Sequence, residues 1–256
     1  MTAQGQREGI VSALFAAGLS RGASVLVHSS LSSLGRVEGG APAVIQCIRD
    51  ALGPEGTLLM PCLSYAAVNA ASPRFDPRST PSNVGVIPEA FRLMPGVLRS
   101  MHPTHSVCAM GPRAVSLLAG HDRDRTPCGP NSPYRLLAAA GGSILMLGCG
   151  LRPNTSMHGV EELVEPPYLF GGELDLQLRL EDGTEAQRRY RMHGFRGWQQ
   201  RYDRVAALGD GPWLREARVL NAAVHLLDAG ELWRRAEAAL RRDALFFVAA
   251  VEDPSA

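Results

Sequence analysis

"ASVLVHSSLSSLGRVEGGAPAVIQCIRDALGPEGTLLMP", residues 23–61, decides the fold. Its first eight residues form a short β-branched run that ends in small polar side chains, the pattern of a buried strand. "LSSLGRVEGG" then reads as a loop, and Pro42 opens a helix whose apolar face is Val44, Ile45, Ile48 and Leu52. "GTLLMP" closes the segment as a second buried strand. Strand, helix, strand in this order is a βαβ unit, which calls for parallel pairing and a right-handed crossover.

Working outward, Ile10, Val11, Leu14 and Phe15 recur upstream at helical spacing. Downstream, residues 62–83 are rich in Ser, Pro and Asn without periodicity. A loop of this length inside a compact domain is more often functional than idle, so it is predicted to lie on the substrate side. A helix is predicted near 84–94, an interior strand at "HSVCAM" (105–110) and a short helix at "SPYRLLAAAGG" (132–142). "SILMLGCG" (143–150) reads as another buried strand, followed by a helix in "NTSMHGVEELV" (154–164), for which Asn154, Thr155 and Ser156 offer N-caps. From 173 to 192 the period changes to strict alternation around Asp182-Gly183, a hairpin signal. An amphipathic helix near 230–242 and a terminal strand, "ALFFVAAV", complete the chain. There is no internal repeat, low-complexity stretch or clear linker. The expected fold class is therefore α/β: a single domain over 1–256 with a central, mostly parallel sheet flanked by helices and an antiparallel hairpin extension.

Bulk properties exclude several functions. At 256 residues and 45% hydrophobic, the chain can bury a substantial core. A formal net charge of +1 gives no field for non-specific binding of nucleic acid or an anionic membrane. The N-terminal "MTAQGQREGIVSALF" lacks the pattern of a signal peptide, and no run of apolar residues is long enough to span a bilayer, so a cytoplasmic protein is expected. Five widely spaced cysteines without a C-x-x-C read as reduced thiols. All 26 basic residues are arginine. The absence of lysine removes Walker-type phosphate binding and Schiff-base chemistry.

Three constellations could carry chemistry. "HSSLSSLG" (28–35) lies at the carboxyl end of the first strand, where open α/β sheets bind ligands and where a turn of small residues can offer backbone N–H groups to a pyrophosphate. Its spacing is not a dinucleotide fingerprint, and an ordinary serine-rich turn is the alternative. In "RSMHPTHS" (99–106), Pro103 forbids a regular helix and no third ligand stands nearby, so no metal site is expected there. One histidine can order the loop while Thr104, His105 and Ser106 offer donors to a substrate, and Arg99 could pair with a phosphate. In "PNTSMHGVEE" (153–162), His158 falls in the first turn of its helix, where the positive end of the macrodipole disfavours imidazolium. A neutral ring can accept a proton, and either Glu161 or Glu162 can hold its other nitrogen. The competing reading is a capping histidine beside glutamates that merely suit the same dipole. From 153 to 178 there are five acidic residues and no arginine, an anionic rim that would suit a cationic amine or, equally, a solvated acidic surface.

Together these stretches resemble the aminoglycoside 3-N-acetyltransferase family, the antibiotic N-acetyltransferase type that is unrelated in fold to the GNAT superfamily. The resemblance is carried by residues 28–61, 99–112 and 141–162, in order and at sensible separations. It implies acetyl-CoA as co-substrate and direct transfer of its acetyl group to an amine, the 3-amino group of 2-deoxystreptamine in an aminoglycoside antibiotic. His158 would then be the general base, and Glu161 its orienting partner. His28, Ser29, Ser30, Leu31 and Ser32 would hold the coenzyme with Arg99 and Ser106, while Thr104, His105 and Glu162 would line the acceptor side. No metal is implied. The loop at 62–83 and the chain beyond 165 match only loosely, so another amine, or an acyl group delivered by a carrier protein, fits equally. Two further alternatives are a metal-dependent hydrolase using His102, His105 and His158, and a coenzyme A-binding protein without catalysis. The expected partners are a small-molecule amine and coenzyme A, with the chain a monomer or homodimer.

Overall fold

The computed structural model describes residues 2–180 and 182–251. In chain order the elements are α1 (Ala3–Ala16), β1 (Ser24–Ser29), α2 (Gly40–Leu52), β2 (Thr57–Pro61), β3 (Arg74–Phe75), α3 (Val86–Arg92), β4 (Leu98–Arg99) and β5 (Val107–Met110). They continue with α4 (Ala114–Leu118), α5 (Pro133–Ala139), β6 (Ser143–Leu147), α6 (Ser156–Val164), β7 (Phe170–Arg179), β8 (Glu185–His193) and β9 (Trp198–Gln200). The last are β10 (Leu214–Val219), β11 (Ala222–Asp228), α7 (Ala229–Arg242) and β12 (Val248–Ala250).

The central sheet has the order β10-β11-β6-β1-β2-β5-β4. β1 pairs in parallel with β2 and with β6, as the βαβ reading requires. Alternate residues of these strands face opposite layers. Val25 and Val27 pack with α1, α2 and α3, through residues such as Leu14, Ile45 and Phe91. Leu26 faces the other way, into a cluster with Tyr134, Met157, Val160 and Trp233 from α5, α6 and α7. Helices thus cover both faces of the sheet, as an α/β chain with buried parallel strands demands.

Antiparallel pairing extends further than the expected hairpin. β5 enters beside β2 in the antiparallel sense, followed by β4, and on the opposite edge β11 runs antiparallel to β6 and carries β10. The β10–β11 hairpin was not legible because its turn is Leu220-Asn221 rather than a glycine dipeptide, with Leu220 forced to φ 52. The hairpin signalled by Asp182-Gly183 is β7–β8. It forms a separate small sheet with β3, which is part of the 62–83 loop. Among the described residues the terminal strand pairs with β9 alone, outside the central sheet. Among the described residues no helix is long and apolar enough to cross a membrane.

Candidate active site

The site is built where β6 hands over to α6. Asn154 Oδ1 accepts the N–H of Ser156 at 3.2 Å and starts the helix, so His158 falls in its first turn. Gly159 follows because α7 leaves no room for a side chain: a Cβ there would lie 2.4 Å from Cη2 of Trp233. Trp233 Nε1 in turn donates to Ser156 Oγ at 2.8 Å, which braces the turn that carries His158.

His158 is 9% exposed and Glu161 is wholly buried. Nδ1 of His158 lies 3.3 Å from Glu161 Oε2 and 2.8 Å from the hydroxyl of Tyr202, which itself donates to Oε2 at 2.6 Å. Tyr168 donates to the other carboxylate oxygen at 2.9 Å. Burial and the Glu161 charge push the Tyr202 phenol well above its ordinary range, so it keeps its proton. A phenol has only one proton, and the shortest contact sends it to Glu161. The Tyr202 oxygen is then left to accept the N–H of His158 Nδ1. In the neutral ring this assignment leaves the lone pair on Nε2.

Glu162 does not touch His158. Its Oε1 lies 2.8 Å from Nε2 of His193, and it also accepts from Thr126 Oγ1 at 2.6 Å and from the Cys128 N–H at 2.7 Å. Its side chain is only 3% exposed. The expectation that Glu162 meets substrate is corrected on that ground: every visible partner is internal. His193, at the end of β8, was not singled out in the sequence. Burial, with His158 nearby, holds its pKa well below the usual histidine range, and its Nδ1 has no partner. The His158 and His193 ring centroids are 4.9 Å apart, and His105 lies 5.8 Å from the first and 5.4 Å from the second.

His105 is held by its neighbours, with Nδ1 3.0 Å from Thr104 Oγ1. His102 orders the loop, since its Nδ1 accepts the N–H of His105 at 3.0 Å. Arg99 has a different position from the one expected. Its Nε donates to Ser106 Oγ, and the two terminal nitrogens reach the carbonyls of Pro77, Thr80 and Cys62 and the Ser64 hydroxyl. All five N–H groups are thereby engaged, leaving none for a phosphate. Ser106 also donates to the Cys62 carbonyl at 2.7 Å and is fully buried, so this pair fastens the 62–83 loop to the sheet instead of facing coenzyme.

At the end of β1, His28 continues the face of Leu26 toward α6. Its Nε2 and the Ser29 hydroxyl are buried without partners. Burial first, and then nearby His158, lowers the His28 pKa to about 3. Both residues line a pocket of about 130 Å³ with Pro61, Cys149, Pro153 and Thr155. The Ser30 N–H is taken by the Leu147 carbonyl at 2.9 Å, whereas those of Leu31, Ser32 and Ser33 have no acceptor among the described residues. The free amides thus begin one residue later than "HSS" suggests. The larger hollow beside Leu98, Val115 and Arg188, of about 570 Å³, lies away from these groups.

The acidic rim is also corrected. Glu165 pairs with Arg191 at 2.9 Å, and Glu173 and Asp175 both pair with Arg189, at 3.9 and 2.9 Å. With Glu161 and Glu162 buried on histidines, no carboxylate between 153 and 178 is left without a partner.

His158 and Glu161 thus stand just beyond the carboxyl end of β6 and His28 at that of β1, the edge of an open α/β sheet where ligands bind. Residues 26–241 match the aminoglycoside 3-N-acetyltransferase family, and the chain belongs to it. It is similar to aminoglycoside N(3)-acetyltransferase VIII of Streptomyces fradiae, 34% identical over 255 residues and covering 88% of each chain. Two solved structures are similar to it as well. The crystal structure of aminoglycoside acetyltransferase AAC(3)-Xa has a TM-score of 0.83 at 30% identity and 92% coverage of both chains. The binary complex of AAC-IIIb with CoASH has a TM-score of 0.82 at 27% identity, covering 97% of this chain and 98% of that one. The protein is an acetyltransferase with acetyl-CoA as its co-substrate.

Proposed function

We propose that the protein transfers the acetyl group of acetyl-CoA directly to the 3-amino group of a 2-deoxystreptamine aminoglycoside, with His158 as general base. The observation that supports this reading is the bracing of His158: Nδ1 lies within hydrogen-bond reach of Tyr202 and Glu161, so that in the neutral ring Nε2 is the nitrogen left to take a proton. The acceptor of a related enzyme, named for aminoglycoside N(3)-acetylation, supports the substrate class.

In this reading the free amides of Leu31, Ser32 and Ser33 receive the pyrophosphate of the coenzyme, and His28 and Ser29 line the path of its thioester arm. The amine, having shed one proton from its ammonium form, attacks the thioester carbonyl. His158 Nε2 takes the second proton as the carbon–nitrogen bond forms, and Glu161 stabilises the imidazolium. When the Thr104 hydroxyl donates to His105 Nδ1, His105 Nε2 carries a hydrogen that can bond the oxyanion. The carbon–sulfur bond then breaks, and the imidazolium returns its proton to the departing thiolate. The sum is amide, free thiol and one released proton. No covalent enzyme intermediate is needed.

A second reading, acylation of a less cationic amine or use of a carrier-protein donor, is favoured by one observation: arginines neutralise the acidic rim. A panel of 2-deoxystreptamine aminoglycosides with acetyl-CoA, followed by thiol release and by locating the new amide by NMR, tests the first reading. Acetylation at the 3-amino group supports it. Thiol release only with other amines replaces the antibiotic and keeps the chemistry.

A further inference from the structure

One ring nitrogen each from His105, His158 and His193 lies within 4.8 Å of the other two. We propose that these three imidazoles bind a zinc-like divalent cation, and that the bound metal blocks acetyl transfer by occupying the lone pair of His158. The inhibitory half rests on His158 being the base, whereas the binding half rests on geometry alone.

His158 Nδ1 is held by Tyr202 and Glu161, His193 Nε2 by Glu162, and His105 Nδ1 by Thr104. That leaves Nε2 of His105, Nε2 of His158 and Nδ1 of His193 without partners among the described residues. The last of these is buried, so it meets neither solvent nor a hydrogen bond. Each ring therefore has one nitrogen braced by a neighbour and one without such a partner, and the three rings bring one nitrogen apiece to within 4.8 Å of one another. This is the outer-shell arrangement that fixes the tautomer and raises the basicity of metal-bound histidines. Turning the Thr104 hydroxyl so that it accepts from His105 Nδ1 readies the third ring.

The donor set selects the ion. Three neutral imidazoles suit Zn²⁺, Co²⁺, Ni²⁺ or Cu²⁺ and not Ca²⁺ or Mg²⁺, which prefer oxygen. Glu161 and Glu162, one bond further out, offset the charge of the ion. Zinc–nitrogen bonds of about 2.0–2.1 Å in a tetrahedral site place the donor atoms roughly 3.4 Å apart, so nitrogens up to 4.8 Å apart must close by up to about 1.4 Å. His102 cannot serve as the third ligand, because its Nδ1 accepts the His105 N–H. The fourth position stays open to water, since no further His, Cys, Asp or Glu among the described residues joins the group.

The test uses the purified chain with Co²⁺ and no substrate. One equivalent of Co²⁺ is expected to give the strong visible absorption of a four-coordinate site, displaced by Zn²⁺ and abolished by EDTA. His193→Ala and His105→Ala are expected to bind about a hundredfold or more weaker. Glu162→Gln, which leaves all three ligands in place, is expected to bind about tenfold weaker. Should an alanine variant fail to fold, Glu162→Gln carries the test, with coenzyme A binding as the folding control. Absence of saturable one-to-one binding, or binding unchanged by these substitutions, overturns the site. Zn²⁺ is further expected to stop formation of acetylated product, read by mass, with full recovery on chelation. Tight binding without inhibition overturns the inhibitory half. Lack of transfer by chelator-treated protein instead counts against the proposed function and leaves the metal site standing.

Discussion

Glu161 and Glu162 are neighbours in the chain, yet they hold different histidines: Glu161 lies 3.3 Å from His158 and Glu162 lies 2.8 Å from His193. Successive helical residues point about a third of a turn apart, so one helix can brace two rings that come from separate elements. In the proposed mechanism only Glu161 serves the base. Glu161→Gln is expected to lower kcat by about a hundredfold or more, while Glu162→Gln costs only about tenfold. Steady-state kinetics of the two variants check the asymmetry, and equal losses would contradict it.

Tyr202 stands between the base and its carboxylate. Tyr202→Phe removes the donor to a fully buried Glu161, which leaves a carboxylate oxygen with one partner fewer. We expect a stability loss of about 1–3 kcal/mol, measured by urea denaturation, together with a drop in kcat of about tenfold. A variant as stable and active as the parent would show that this hydroxyl holds nothing in place.

Gly159 and Trp233 couple the catalytic turn to α7. Gly159→Ala puts a methyl group where the indole already stands, so the two helices must part. The expected cost is about 1–3 kcal/mol, seen as a lower denaturation midpoint. Combining it with Trp233→Leu is expected to recover part of the loss caused by the alanine, because the smaller side chain relieves the contact. An additive double variant argues against direct packing.

Two of these predictions involve residues that the sequence did not reveal, for identifiable reasons. The βαβ unit was readable because Val25, Leu26 and Val27 and the Val44–Leu52 face carry periodicities that packing enforces. His158 and Glu161 were readable because their spacing falls on a single helix. Tyr202 and His193 reach the same site from 44 and 35 residues further along, and no local period announces a contact made across the fold. A signal for His193 did exist, since it ends an alternating strand next to Gly194, where a Cβ would lie 2.6 Å from Gly171 Cα. Arg99 and Glu162 were misjudged for a related reason: an isolated charge shows its chemistry but not its internal acceptors.

Buried histidines also set a pH dependence. His28 titrates at about 3 and His121 at about 4 in the folded chain, both chiefly through burial, against an ordinary value of 6.5. The unfolded chain therefore binds more protons between those values, and folding stability is full above 6.5 and lost as the pH falls. Each histidine contributes about 1.4 kcal/mol per pH unit well below 6.5, so the pair gives nearly 3. Urea denaturation between pH 7.5 and pH 5 is expected to show this downward slope, before most carboxylates titrate. A flat profile over that range means that these rings are not kept neutral.

In the proposed mechanism the Nε2 lone pair of His158 removes the proton from an attacking amine. The direct measurement is the rate of thiol release from acetyl-CoA with a 2-deoxystreptamine aminoglycoside, for the parent chain and for His158→Ala, with coenzyme A binding confirmed in both. An acetylated product is expected from the parent, and a loss of about a hundredfold or more in kcat for the variant, with coenzyme binding retained. A variant that turns over at the parental rate while still binding coenzyme A would contradict it.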